Sequence, residues 1–265
     1  MDTLTVYVDG IGFWAPGLAD WPAAERALNA DIAPQTDASA RPSASVLPPN
    51  ERRRAPEPVL IASEAAGQAC AMAARDPAAL ACVFTSTRGD LTITDTMCTT
   101  LAADPRELSP TRFHNSVHNA PAGYWTVAAH CHASATAVSA GDASFAAGLL
   151  EAAIQVHADG GSVLLAAYDI AARGPLVDVA PSTLPFAMAF VLSATRSTTS
   201  RACLQLRHSD QPAGVSDVPA QFAALAGNPM AAQALPMLIV IARRQTRKVV
   251  LGSGRATSLH VEVAS

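Results

Sequence analysis

Alternating apolar and polar residues open the chain. The run Thr5–Gly12 follows this pattern and breaks at glycine, which predicts a first strand that enters a turn. Short apolar or alternating segments predict further strands at 80–85, 134–140, 163–168, 184–193, 201–208 and 258–263. Apolar residues at helical spacing predict helices at 58–74, 94–101, 119–132, 142–156 and 222–241. The last of these helices is expected to break at Asn228 and Pro229.

The order of these elements predicts an α/β fold. Strands and helices alternate along most of the chain, and the segments 184–193 and 201–208 are placed to form an antiparallel hairpin. Such an order favours a mixed, mostly parallel sheet covered by helices. The stretch 31–58 is rich in Pro, Ser, Ala and Asp and has no periodicity, so we expect a long surface excursion there.

Charge and cysteine content argue against several classes of protein. The 265 residues carry 18 basic and 22 acidic side chains, so the basic footprint of a nucleic-acid-binding protein is missing. The chain has no run of about 20 apolar residues and no basic segment at its start, so we expect neither a membrane span nor a signal peptide. The 5 cysteines form no CxxC pair. This pattern is typical of a protein of the reducing cytoplasm.

Several short segments occur in an order that is more specific than a general α/β pattern. They are Gly10-Ile11-Gly12 after the first strand, Arg52-Arg53-Arg54 before an Ala-rich helix, the strand and loop at 83–89, Ser109-Pro110 followed by Asn119-Ala120-Pro121-Ala122-Gly123, and the helix and strand at 142–157 and 163–168. This order resembles the N-terminal half of a β-ketoacyl synthase, which has the thiolase fold. The segment 114–125 is similar to that of short ketoacyl synthase-like N-terminal-domain proteins. Those proteins occur beside aryl-polyene and xanthomonadin-type pigment synthases and are viewed as chain-length-factor-like subunits.

The resemblance implies a thiolase-like half-fold over residues 1–195. The remaining residues, 196–265, have no counterpart in the family and are expected to form a C-terminal extension packed on the same domain. A half-fold leaves one face of its sheet open unless a partner or the tail covers it. The predicted helix 222–241 and the terminal strand are placed to provide that cover.

The resemblance also implies that the family's nucleophile is missing. In a true synthase a cysteine stands at a helix start, where the helix dipole and backbone N–H groups favour a thiolate and a developing oxyanion. Counting from Gly123 without gaps puts this position at Asp142, and small gaps widen it to the window from Ser139 to Asp142, which has no cysteine. The family's two active-site histidines lie in a C-terminal half that this chain lacks. We therefore expect no catalytic residue, and we expect Asp142 to cap the helix.

Cys131 is the alternative nucleophile. It stands between His130 and His132, and an imidazole can take the proton of a thiol in an independent acyl-thioester enzyme. Neighbours in sequence need not face each other, however, and Cys131 lies well before the expected helix start.

The histidines also raise the question of a metal. The candidate ligands are His114, His118, His130, His132 and Cys131. The spacing His-x3-His fits one helical face, but the glutamate of an H-E-x-x-H motif is missing. Gly10-Ile11-Gly12 lacks the third glycine of a dinucleotide fingerprint. We therefore expect no metal and no cofactor.

The leading hypothesis is a noncatalytic subunit that pairs with a full-length ketosynthase in polyene or fatty-acid-type chain elongation. The resemblance implies pairing across a two-fold axis through the segment 133–140, which is rich in small and β-branched residues. It also implies that bulky residues nearby shape the far end of an acyl tunnel, although ordinary core packing would explain them too. The residues assigned to the interface and tunnel are Phe113, Asn119, Tyr124, Trp125, Thr136 and Val138.

A basic cluster lies in the C-terminal extension. Its members are Arg243, Arg244, Arg247 and Lys248. A solvated face would explain them, and the sharper hypothesis is electrostatic docking of an acidic acyl carrier protein. A scaffold that binds carrier proteins without any role in a tunnel is the third function left open.

Overall fold

Eight strands pair into one sheet within the residues that the structure describes, which are 3–36, 41–214 and 218–265 of this computed structural model. The strands are β1 (Leu4–Trp14), β2 (Ala81–Thr85), β3 (Ala135–Val138), β4 (Ser162–Asp169), β5 (Phe186–Ser193), β6 (Ala202–Ser209), β7 (Arg247–Gly252) and β8 (Ser258–Ala264). Their order across the sheet is β3-β2-β4-β5-β1-β6-β8-β7. The α-helices are α1 (Trp21–Ala30), α2 (Pro49–Arg54), α3 (Glu57–Met72), α4 (Leu91–Ala103), α5 (Pro110–Asn115), α6 (Ala120–Ala128), α7 (Ser144–Asp159), α8 (Ala223–Ala226) and α9 (Pro229–Ala242).

The sheet is mixed as expected, but the prediction that it is mostly parallel is wrong. Among the described residues only β2–β3 and β2–β4 are parallel pairs, and the other five pairs are antiparallel. A parallel pair needs a crossover connection, and helices provide such crossovers between β2, β3 and β4. β5 enters between β4 and β1 without an α-helical crossover, so it runs against both neighbours.

The predicted hairpin of 184–193 with 201–208 is also wrong, because β1 lies between these two strands. β1 is long enough to pair with different partners along its two halves. Leu4–Val8 pairs with β6, and Tyr7–Trp14 pairs with β5. This strand therefore joins the two parts of the sheet.

Asp9 lies at the irregular point of β1, where the register with β5 shifts. Its side chain is 1% exposed, and Oδ1 accepts hydrogen bonds from the hydroxyls of Ser200 at 2.7 Å and Ser197 at 3.3 Å. The guanidinium of Arg75 lies 3.8 Å from Oδ2. A buried carboxylate needs such partners, and here they tie the connection between β5 and β6 to the centre of the sheet.

Two glycines of β1 let helix α3 approach the strand closely. A Cβ atom at Gly10 would lie 2.1 Å from the carbonyl oxygen of Ala69, and one at Gly12 would lie 1.8 Å from that of Ala65. The alanines of α3 are buried against the sheet, so small residues on both elements set this distance. Any side chain at these two strand positions would push helix and strand apart.

Helices α1, α7 and α9 cover the opposite face of the sheet. They enclose the larger core, which includes Phe13, Phe145, Phe190 and Leu238. α9 is almost entirely buried and contacts β4, β5, β7 and β8. Residues of the expected C-terminal extension therefore supply three strands and a core helix to the same sheet, while the domain boundary at 195 stays a prediction.

The sequence pattern missed four elements, and one of them is α5, whose segment was noted only for Ser109-Pro110 and its histidines. α1 repeats apolar residues at helical spacing after its cap Asp20, but the repeat is short. α2 forms inside the expected surface excursion 31–58, of which residues 37–40 lie outside the described chain. β7 begins with two cations, which hid a strand whose Val249 and Leu251 are buried. The break at Asn228 and Pro229 is confirmed, because α8 ends before it and Asn228 caps α9.

We expect Gly12→Ala to destabilise the protein by about 3 kcal/mol or more, because the added methyl group meets the backbone of α3. Urea-induced unfolding measures this change as a loss in the free energy of unfolding. Gly67→Ala is the matched control, since Gly67 lies in α3 and a Cβ atom added there would have nothing within 4 Å. That control should gain about 0.5–1 kcal/mol from helix propensity. Equal stability of both variants would contradict the close contact.

Candidate functional site

The start of helix α7 is the place where the resemblance expects a nucleophile. β3 leads into the segment 139–143, where Gly141 adopts a φ of 57° and the Ser139 hydroxyl donates to the carbonyl of Thr87 at 3.1 Å. Asp142 is exposed one residue before the N-cap of α7. Its carboxylate therefore stands near the positive end of the helix dipole.

The expectation that Asp142 caps the helix is wrong. The N-cap is Ala143, and its side chain makes no capping hydrogen bond. Ser144 serves the turn instead: its Oγ accepts from the backbone N–H of Ala140 at 2.9 Å and donates to the carbonyl of Gly141 at 2.6 Å. The hydroxyl inside the first turn closes the loop, so the loop does not need the carboxylate of Asp142.

The first turns of α7 are seated on the end of β2. The hydroxyl of Thr85 donates to the carbonyl of Ser144 at 2.8 Å, and a Cβ at Gly148 would lie 2.7 Å from Cγ2 of Thr85. Helix and strand therefore meet without a gap. This contact keeps the helix N-terminus at a fixed place beside the carboxyl end of the strand.

Cys131 does not form a pair with its neighbouring histidines. Its side chain is 7% exposed, and Sγ donates to the carbonyl of Leu80 at 3.3 Å. His130 and His132 are exposed, and within the described residues no hydrogen bond joins either ring to the thiol. Burial also raises the pKa of the nearby thiol of Cys82 to about 12. These surroundings suit inert core thiols rather than a nucleophile.

A buried carboxyl group lies at the end of β4. Asp169 is 4% exposed, and its Oδ1 accepts hydrogen bonds from the hydroxyl of Ser86 at 2.7 Å and the backbone N–H of Thr87 at 2.8 Å. Burial raises the pKa of Asp169, although the hydrogen bonds from Ser86 and Thr87 and the nearby His118 act in the opposite direction. The carboxyl group thus holds the loop that follows β2 against the end of β4.

The same loop is linked to the turn between α5 and α6. The Nε2 atom of His118 lies 3.1 Å from the carbonyl oxygen of Ser86, and the hydroxyl of Tyr168 donates to the carbonyl of His118 at 3.4 Å. One chain of polar contacts therefore links Asp169, Ser86 and His118, and it joins the end of β4 to the loop after β2 and to the turn between α5 and α6. These contacts position the segment that carries the exposed groove described next.

An open groove of about 780 Å³ runs along α6. The hydroxyl of Tyr124 donates to Oδ1 of Asn115 at 3.2 Å, which joins α6 to α5. Val127 is 77% exposed beside the groove. The lining residues are Leu47, Pro48, Asn50, Glu51, His114, Val117, Asn119, Ala120, Gly123, Tyr124, Val127, Ala128 and His130. The groove thus combines an apolar wall with a polar rim.

Within the described part of the chain β3 is an edge strand of the sheet, and α6 contacts it. The carbonyls of Ser134 and Val138 accept from backbone N–H groups of β2 and the residue after it, so the intervening Ala135 and Ala137 direct their N–H groups away from the sheet. The hydroxyl of Thr136 accepts a hydrogen bond from the Gln155 side chain at 3.2 Å, and Val138 packs against the larger core.

On each face of the sheet, a helix that contacts β3 carries an exposed apolar side chain. α6 and α7 both contact β3, and they carry Val127 and Ile154, which are 77% and 45% exposed. An open strand edge with apolar flanks is a ready surface for pairing with another chain.

Two of the bulky residues assigned to the interface differ sharply in environment. Trp125 is fully buried, and its ring centroid lies 6.3 Å from that of Phe84. It is a core residue, as ordinary packing would require. Phe113 is 63% exposed on α5 but does not line the groove.

Only part of the basic cluster is free to contact another molecule. The guanidinium of Arg243 donates to the carbonyl of Leu28 at 3.1 Å and pairs with the carboxylate of Asp31. It therefore fixes α9 to α1. Arg244, Arg247 and Lys248 are exposed.

The structure does not assemble the histidines into a metal centre. Within the described ranges, no group of three or more His, Cys, Asp or Glu side chains is placed to hold an ion. No helix of the described chain is both long and apolar enough to cross a bilayer.

Sequence reasoning missed Asp169, Val127 and Ile154. The sequence did contain a sign of Asp169, because a single carboxylate directly follows the apolar run of β4. Val127 and Ile154 carried none, since an apolar residue on a helix is expected to face the core.

Comparisons with known proteins agree with this geometry. The family model described as beta-ketoacyl synthase, N-terminal domain, matches residues 21–251. A search of curated proteins gave no match. A chain in the solved structure of a ketosynthase in complex with its chain length factor from Xenorhabdus doucetiae is 25% identical, with a TM-score of 0.71, and the match covers 98% of this chain and 99% of that chain.

Two further structures support the fold alone. A type II polyketide synthase acyl-carrier protein in complex with its ketosynthase gives a TM-score of 0.74 at 11% identity, with 99% of both chains covered. The ishigamide ketosynthase/chain length factor gives 0.66 at 12% identity, with 98% of this chain and 99% of that chain covered.

A sheet with this topology and a helix that starts beside β3 defines a ketosynthase-like scaffold, and the predicted thiolase-like α/β fold is confirmed. The chain belongs to the family of β-ketoacyl synthase N-terminal domains.

The raised pKa of Asp169 predicts a pH-dependent stability. The folded protein holds this proton more tightly than the unfolded chain, so the contribution is complete below the ordinary carboxyl pKa and is lost as pH rises through the raised pKa. Asp169→Asn keeps an oxygen acceptor but cannot ionise. We expect the variant to lose less stability with rising pH, by up to about 1.4 kcal/mol per pH unit.

Urea unfolding between about pH 4 and pH 8 measures this difference. Asp159→Asn is the control, because Asp159 is exposed at the end of α7. Its stability should follow the wild-type pH profile. Parallel profiles for wild type and Asp169→Asn would show that Asp169 is not the titrating group.

Proposed function

We propose that this chain is a noncatalytic, chain-length-factor-like subunit that pairs through the edge of β3 with a full-length β-ketoacyl-carrier-protein synthase. The observation that carries the proposal is the open edge of β3, with exposed Val127 and Ile154 on its two sides. The likeness to a chain in a solved complex of a ketosynthase with its chain length factor supports pairing with a synthase.

The start of α7 supports a noncatalytic role. The residues from Ser139 to Asp142 include no thiol, and Asp142 offers only a carboxylate beside the helix N-terminus. A carboxylate is a poor acceptor for acyl transfer from a thioester, whereas a thiolate at a helix start is a good one. In this proposal the partner supplies the nucleophile and the histidines.

An independent acyl-thioester enzyme that uses Cys131 is the alternative, and the geometry disfavours it. The thiol points inward and donates to the carbonyl of Leu80, while the adjacent imidazoles are exposed to solvent. A nucleophile and its base must come within hydrogen-bonding distance.

The groove along α6 supports a role in limiting chain length. α6 forms one wall of the groove and also contacts β3, so a partner paired at the β3 edge would lie close to this helix. The apolar wall of the groove suits the end of an acyl chain. Tyr124, Asn119 and Val127 line the groove, and Trp125 supports α6 from below.

An acyl carrier protein is the proposed second partner, and it would bring the growing chain to the assembly. Arg244, Arg247 and Lys248 are exposed and can steer an acidic surface, whereas Arg243 is engaged with Asp31. We extend the proposal to polyene or fatty-acid-type elongation of the aryl-polyene or xanthomonadin type, in the reducing cytoplasm, where buried thiols such as Cys70 and Cys82 persist.

Ala137→Pro tests the pairing. Proline removes an N–H that points away from the sheet and leaves the bonds to β2 in place, so we expect at least about tenfold less ketosynthase to co-purify, a loss of about 1.4 kcal/mol. The measurement is affinity purification after coexpression with a full-length synthase encoded nearby.

Ala137→Ser is the matched control, because it keeps the N–H group and should retain the partner. Circular dichroism and thermal unfolding establish that both variants are folded. Undiminished co-purification of a folded Ala137→Pro variant would sink the edge-pairing model.

Gly123→Leu tests the groove. Nothing lies within 4 Å of a Cβ at Gly123, so the leucine side chain can extend into the groove without disturbing α6. We expect intact complexes to make products shorter by about one extension step, because the added carbons occupy the space of the acyl end. Mass spectrometry of the products measures the shift.

Gly123→Ala is the control for that substitution and should change the length distribution little. Identical product lengths for Gly123→Leu and wild type, in complexes of normal composition, would instead favour a scaffold without a tunnel role.

A further inference from the structure

The two edges of the sheet have opposite chemical character. β3 forms one edge and β7 forms the other, since β7 pairs only with β8 in the described part of the chain. We infer that Arg247 and Lys248 guard the edge of β7 against strand pairing, so that copies of the chain whose β3 edge is free cannot join β7 to β3. The β3 half of this inference rests on the proposed function, whereas the guard on β7 does not.

β7 would otherwise be a good strand to extend. Its residues Val249, Val250 and Leu251 are β-branched or apolar, and Val249 and Leu251 are anchored in the core. Its outer backbone groups have no strand partner in the described chain. An ordered, apolar edge strand of this kind is a template for another chain.

The cations stand at the entry of this strand. Arg247 and Lys248 are its first two residues and both are exposed, and Arg244 is exposed just before them. Within the described residues none of the three has a carboxylate within 4.0 Å, whereas Arg243 is neutralised by Asp31. Glu262 of β8 lies opposite Lys248 in the strand register but forms no ion pair within that distance, so water solvates these charges.

The β3 edge offers nothing to replace that water. The segment 133–141 has no charged residue, and Val127 and Ile154 flank the strand. A β7-to-β3 contact would press cations against this apolar surface and remove their hydration. Such a contact is head-to-tail, so without the guard it would generate an open filament rather than a closed pair.

Replacing both cations tests the guard. We expect Arg247→Thr/Lys248→Thr to increase in molar mass with protein concentration to at least twice the wild-type value, while the wild-type mass stays fixed. Light scattering after size-exclusion chromatography of the full chain measures this. A variant mass equal to that of wild type at every concentration would overturn the inference.

Two controls separate charge at the edge from other effects. Arg26→Thr/Arg201→Thr removes two exposed cations elsewhere and should keep the wild-type mass. Arg247→Glu/Lys248→Thr restores one charge of opposite sign, so it should also keep that mass, although it would weaken docking of an acidic carrier protein. An increase in the molar mass of either control with protein concentration would show that charge on β7 does not prevent strand pairing.

Adding Ala137→Pro to Arg247→Thr/Lys248→Thr tests whether the molar mass increases through a β7-to-β3 contact. It should return the mass to a fixed value, because the outer N–H of β3 is lost. Continued growth would contradict the β7-to-β3 contact. A synthase that fails to co-purify would refute the proposed function without altering the mass of the threonine variant, so the two failures are distinguishable.

Discussion

The contact between α3 and the glycines of β1 is the constraint on which the rest of the structure depends. Gly10 and Gly12 leave no room for a side chain, so the helix backbone lies directly against the strand. β1 then pairs with β5 along one half and with β6 along the other. β5 in turn pairs with β4, whose last residue is Asp169, and the carboxyl group of Asp169 holds the loop after β2.

The start of α7 is held in place by contacts with β2 and by its own first turn. Thr85 and Gly148 seat α7 on β2, and Ser144 closes the turn before it. These contacts involve only backbone groups and the side chains of Thr85 and Ser144, so they fix the helix start whichever residue stands at Asp142.

Local pattern predicted the elements better than their arrangement. Apolar runs were sufficient to predict the strands β2 and β4, and helical spacing was sufficient to predict α3 and α7. Both signals arise because burial on a strand or helix is periodic. Strand direction depends on which distant segments meet, so the insertion of β1 between β5 and β6 left no local sign. Arg243 looked like its cationic neighbours because its partner Asp31 is 212 residues away. Trp125 and Phe113 are both aromatic residues near one segment, and only tertiary packing separates a core residue from a surface one.

The central position of β1 in the sheet has a consequence for folding during synthesis. This strand leaves the ribosome long before the two strands that flank it in the sheet, so its backbone stays without those partners for much of synthesis. Contacts between such distant segments form slowly. Until β5 and β6 have been made, the apolar residues of β1 lack their neighbours in the sheet, so this stage of synthesis is the one most exposed to aggregation.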